Sequence, residues 1–133
     1  MAYSHTTKKT IESKTCPGVS YTLRAVSYGH RLRIAERLAG TFEKSGLRLE
    51  QPDTIDTARA LALQHEVDRI QIAEVLLGVH GLEVDGRSFD GDIEKRGTEG
   101  ATELLENAPE RLVSEIRQAI ERELGLSAEE AKN

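Results

Sequence analysis

Residues 13–23, Ser13-Lys14-Thr15-Cys16-Pro17-Gly18-Val19-Ser20-Tyr21-Thr22-Leu23, set proline and glycine side by side between two runs of β-branched and aromatic residues. Proline fixes φ and glycine relaxes it, so the pair predicts a tight corner joining two strands. After the corner, Val19, Tyr21, Leu23 and Ala25 alternate with Ser20, Thr22 and Arg24. Side chains of a strand alternate between its faces, so one face of this hairpin is expected to be buried. Cys16, the single cysteine of the chain, stands at that corner with no activating histidine near it in sequence. It reads as a turn residue placed for packing, not as a nucleophile or half of a metal site.

An isolated hairpin is barely stable, so this one must lie on something. The segment that follows offers a helix: Leu32, Ala35, Leu38, Ala39 and Phe42 recur at helical spacing as its expected buried stripe, and Gly46 stops it. Arg31, Arg33, Arg37 and Lys44 take other faces. Capped by Asp53 or Thr54, a longer helix is expected from about Ile55 to Val79, with Leu63, Val67, Ile70, Ala73 and Leu77 as its stripe. Ile72, Val75, Leu76 and Val79 widen that stripe and put the core around the second half of the helix. Val84-Asp85-Gly86-Arg87 carries an Asp-Gly turn signal for a small second hairpin, which could also extend the first sheet.

Residues 91–98 read as an acidic mobile loop. A short helix is expected from Glu99 to Glu106, and a last one opened by a cap at Asn107 with Pro109 in its first turn and Glu110 three residues after the cap. Leu112, Val113, Ile116, Ala119, Ile120 and Leu124 form its apolar face, and Gly125 ends it. Ser127 and Glu130 begin another capping pattern that the sequence does not continue. The expected architecture is a single α+β domain over 1–133, an N-terminal β-hairpin followed by a mainly α-helical bundle, with 1–7 and 126–133 flexible.

Composition agrees with a globular domain: 133 residues, 38% hydrophobic and 31% charged, with five aromatics. One cysteine allows no internal disulfide. The first ten residues, MAYSHTTKKT, lack an apolar signal core, and no uncharged apolar run approaches membrane-spanning length, which predicts a cytoplasmic protein. Charge is polarised along the chain. Residues 1–50 carry nine Lys/Arg against four Asp/Glu, a net +5, and residues 51–133 carry nine against nineteen, a net −10. Such a chain can associate head to tail or offer its basic end to an acidic partner; it can equally be two differently decorated solvated surfaces.

No route to catalysis is legible. His65-Glu66-Val67-Asp68-Arg69 starts like a zinc-protease helix but has arginine where the second histidine must stand. Asp85 to Glu94 invites a calcium reading, yet neither Asp90 nor Lys95 is the glycine that the sixth loop position demands. The sequence shows no phosphate-cradling glycine loop, no nucleophile elbow and no carboxylate pair on a recognisable scaffold. The expectation is a non-enzymatic binding protein with no catalytic residue, cofactor or metal. The basic helix 29–45 could meet phosphates, but the acidic remainder repels nucleic acid and no second helix follows at helix-turn-helix spacing. Nucleic acid is therefore a disfavoured partner.

Taken in order, the hairpin SKTCPGVSYTLRAVSYGHRLRIAERL, the long-helix segment EVDRIQIAEVLLGVHGLEVDG and the close LVSEIRQAIERELGLSAEEAKN resemble tail assembly chaperones of long-tailed bacteriophages and prophages, over about Lys8 to Asn133. The resemblance implies a non-enzymatic protein of the host cytoplasm that keeps the helical tape-measure protein soluble while tail-tube protein polymerises around it. It also implies a possible homo-oligomer and, in some members, a longer frameshifted product. The alternatives are a phage structural adaptor, such as a tail-completion protein, and a small nucleic-acid-binding regulator. For partner contact the sequence nominates Arg31, Arg33 and Arg37 on the basic helix and Leu82, Asp85 and Gly86 around the second turn.

Overall fold

A computed structural model describes residues 2–45 and 54–125. An antiparallel hairpin, β1 (Lys8–Glu12) and β2 (Ser20–Arg24), leads into helices α1 (Tyr28–Ser45) and α2 (Thr54–Val75). Then come β3 (Leu76–His80), a second hairpin of β4 (Glu83–Val84) and β5 (Arg87–Ser88), and helices α3 (Ile93–Arg96), α4 (Thr98–Asn107) and α5 (Glu110–Glu123). The architecture is α+β, a hairpin followed by a mainly helical region.

The Cys16–Gly18 corner folds as its residues dictate. Val19 N–H donates to the Cys16 carbonyl at 3.1 Å, and Gly18 at φ +85° takes the third position of the turn, as in a type II turn led by proline. Cys16 is buried in the core. The corner then packs against Gly81, where a Cβ would stand 2.3 Å from the Gly18 carbonyl oxygen. Only a glycine admits that approach.

The sheet has one more strand than the sequence predicts. Its order is β1-β2-β3, all antiparallel, with Tyr21 opposite both Ile11 and Val79 and a bulge between Thr22 and Leu23. The long helix thus ends at Val75, not Val79, and the chain passes without a loop into a strand whose Leu76, Leu77, Gly78 and Val79 are all buried. An unbroken apolar run of this length satisfies helix and buried-strand templates alike. What decides it is the second edge of β2, whose backbone groups need partners.

Segment 90–96 is no loose loop. Gly91 straps the outer edge of β3, its carbonyl accepting the Val79 N–H at 2.9 Å, and the missing side chains of Gly91 and Gly78 make room for the crossing. Asp92 caps α3, and Ile93 is fully buried. Arg96 fixes the strap by donating to the Asp90 carbonyl at 2.9 Å and pairing with Glu103 of α4 at 2.7 Å.

The hydrophobic core gathers Tyr21 and Leu23 from β2, Ile72 and Val75 from α2, Leu76 and Val79 from β3, Leu104 from α4, and Leu112, Ile116 and Ile120 from α5. The apolar face read for α5 is confirmed, with Val113 half-buried, and Gly125 follows its end at φ +70°. Its start is different: Pro109 takes the cap position without a side-chain bond, while Asn107 is the last residue of α4 and donates to the Glu103 carbonyl at 2.9 Å. The second hairpin forms at Asp85-Gly86, both at positive φ, as a separate two-stranded sheet. The stop expected at Gly46, the cap expected at Asp53 and the capping pattern at Ser127 and Glu130 lie outside the described residues.

Candidate functional site

Helix α1 starts at a reciprocal cap. The Ser27 hydroxyl accepts the His30 N–H at 3.2 Å, and the Ser27 N–H donates in return to His30 Nδ1 at 3.2 Å. The Arg24 guanidinium stands 3.0 Å from His30 Nε2. Burial, then the neighbouring Arg24 and Arg33, lower the His30 pKa and keep the ring neutral.

The face that α1 turns inward is not the stripe that the sequence suggests. Ile34 is its buried residue at 5% exposure, supported by the half-buried Arg37, Leu38 and Thr41. Leu32, Ala35, Ala39 and Phe42 lie instead on the outside, Leu32 at 49% and Phe42 at 52% exposure, and Tyr28 extends the row at 82%. Positions 28, 32, 35, 39 and 42 advance by four, three, four and three residues, the spacing of a coiled-coil seam. The seam lies roughly a third of a turn around the helix from Ile34. Glu36 and Glu43, both exposed, flank it on the side away from the core. The alternation of fours and threes was the available signal, and reading Leu38 into the same stripe concealed it.

The nominated arginines are occupied within the fold. Arg37 donates to Glu74 of α2 at 3.2 Å, and Arg33 stands 3.6 Å from the same carboxylate. Arg31 donates to the carbonyl oxygens of Leu124 and Glu123 at the C-terminus of α5, where unpaired helix carbonyls favour a cation. Leu82 is buried, and Asp85 and Gly86 form the tip of the β4–β5 hairpin. The six residues do not assemble into one surface: three join α1 to other helices, Leu82 packs into the core, and Asp85 and Gly86 form a separate turn.

A second feature had no sequence signal. The Glu115 carboxylate of α5 gathers the hairpin loop, accepting the Ser13 hydroxyl at 2.8 Å, the Thr15 hydroxyl at 2.8 Å, the Lys14 and Thr15 N–H groups at 3.1 Å, and the Tyr21 hydroxyl at 2.9 Å. Burial alone would raise its pKa, but the bonds from Thr15, Ser13, Lys14 and Tyr21 outweigh that and hold it at about 2. Tyr21 moves the other way, pushed up to about 12 by burial and by its bond to that carboxylate. Beside this clamp, an open groove of about 710 Å³ runs between β1 and α5.

Among the described residues no three His, Cys, Asp or Glu side chains are grouped to hold a metal, and no helix is long and apolar enough to cross a membrane. No family model, curated protein or solved structure matches the chain.

Proposed function

We propose that this protein is a tail assembly chaperone that binds an amphipathic helix of a phage tape-measure protein in the host cytoplasm. The observation that carries the reading is the outward seam of α1, Tyr28-Leu32-Ala35-Ala39-Phe42, set at the repeat by which one helix receives another. A tape-measure helix has an apolar stripe to cover until tube subunits surround it. Glu36 and Glu43 beside the seam favour a client whose stripe is bordered by lysine or arginine. The seam takes the place of the basic face as the client-binding surface, because Arg31, Arg33 and Arg37 are engaged internally. The same engagement counts against a nucleic-acid regulator built on this helix.

Co-expression with a tape-measure protein tests the proposal. The wild-type chain is expected to bring the client into the soluble fraction as a complex, and the folded double variant L32E/A39E to leave it insoluble. Equal rescue by both, or rescue by neither, would contradict it.

A further inference from the structure

The two edges of the three-stranded sheet are treated differently. The outer edge of β3 is closed by Gly91, whereas β1 has β2 as its one neighbour in the sheet. Ala25 N–H donates to the Thr7 carbonyl and Ser13 N–H to the Val19 carbonyl, so residues 7 and 13 bracket the β1–β2 ladder. Antiparallel pairing alternates, so Lys9 and Ile11 turn their backbone groups toward β2, while Lys8, Thr10 and Glu12 turn theirs outward. Five residues of strand offer about 17 Å of such edge.

Alongside it runs one face of α5, Arg111, Glu115, Gln118 and Arg122, about 16 Å from first to last at 1.5 Å per residue. The two run in opposite directions, since Lys9 meets Glu123 at 2.5 Å and Ser13 meets Glu115 at 2.8 Å. Both carboxylates in the groove are thereby taken, Glu123 by Lys9 and Glu115 by the hairpin loop. Lys14, Arg111 and Arg122 are exposed and form no ion pair among the described residues. The groove therefore presents cations beside an open strand edge.

We infer that β1 receives an extended acidic segment of a partner protein as a fourth strand, its alternate carboxylates directed at Arg111 and Arg122. The backbone edge supplies the pairing, and the groove supplies the selection for acidic residues. A nucleic acid would use the cations but not the edge. The site is separate from the α1 seam and does not depend on helix binding there.

Fluorescence polarisation with a labelled Val-Glu-Val-Glu-Val-Glu peptide tests it on the full chain. Saturable binding is expected that weakens with salt and falls at least tenfold in R111E/R122E. A Val-Lys repeat should not bind, and L32E/A39E should bind the acidic peptide like wild type, which separates this site from the client seam. Of two copies N-methylated at alternate peptide bonds, the one blocked on the edge facing β1 should lose binding and the other should keep it. No saturable binding up to millimolar peptide, equal binding of both methylated copies, or equal displacement by a single-stranded DNA oligonucleotide would each overturn the inference.

Discussion

Glu115 illustrates how one side chain fixes the course of a loop. Five donors from residues 13–21 converge on its carboxylate, so the hairpin corner is tied to α5 as well as to β2. Its pKa of about 2 in the fold lies below the ordinary carboxylate value, so the carboxylate stabilises the fold above about pH 4.5 and that contribution is lost as pH falls toward 2. E115Q should cost ~1–3 kcal/mol at neutral pH, allowing for partial solvent screening, and should flatten the acid limb of a denaturation curve between about pH 5 and 2. An unchanged acid limb would remove Glu115 from that role. At the strap, a Cβ on Gly91 would meet the Val79 carbonyl oxygen at 2.0 Å. G91A should therefore destabilise by about 1–3 kcal/mol or more in urea titration and speed hydrogen exchange at the Val79 amide.

Elements tell where local pattern suffices. The Pro17-Gly18 corner, the alternation of Val19, Tyr21 and Leu23, and the apolar face of α5 were legible because each depends on a short-range rule that the tertiary structure also obeys. The boundary at Val75 was not, because Leu76-Leu77-Gly78-Val79 suits a helix or a buried strand, and only the distant β2 edge selects the strand. Nor was the inward face of α1. Its apolar residues cover two stripes, and the core takes the one containing Ile34. Comparing truncations checks this assignment: I34A should destabilise by about 2–4 kcal/mol, whereas L32A should stay within about 0.5 kcal/mol of wild type. The reverse order would return Leu32 to the core and abolish the seam. The Glu115 clamp was equally illegible, since its donors lie about a hundred positions away in the chain.

At the scale of the whole molecule, the polarised charge of the sequence is partly paired within the fold. Lys8 reaches Glu94, Lys9 reaches Glu123, and Arg33 and Arg37 share Glu74, each a basic residue of the first half meeting an acidic residue of the second. Head-to-tail association of copies is thus not needed to account for these charges. What the fold leaves outside is an apolar seam on one helix and an open, cation-lined edge on the sheet, two surfaces of different chemistry suited to a helical and an extended segment respectively. The chaperone reading assigns the first to its client.

Site-specific photocrosslinking during phage tail assembly tests that assignment most directly. A photoreactive phenylalanine analogue placed at Ala35 on the seam, with a control at the exposed Glu106 of α4, would be irradiated in infected or prophage-induced cells and its adducts identified by mass spectrometry. The account predicts a crosslink from position 35, and not from position 106, to a helical segment of the tape-measure protein. Adducts confined to mature virion components, adducts to nucleic acid, or an equal yield of client from both positions would contradict it.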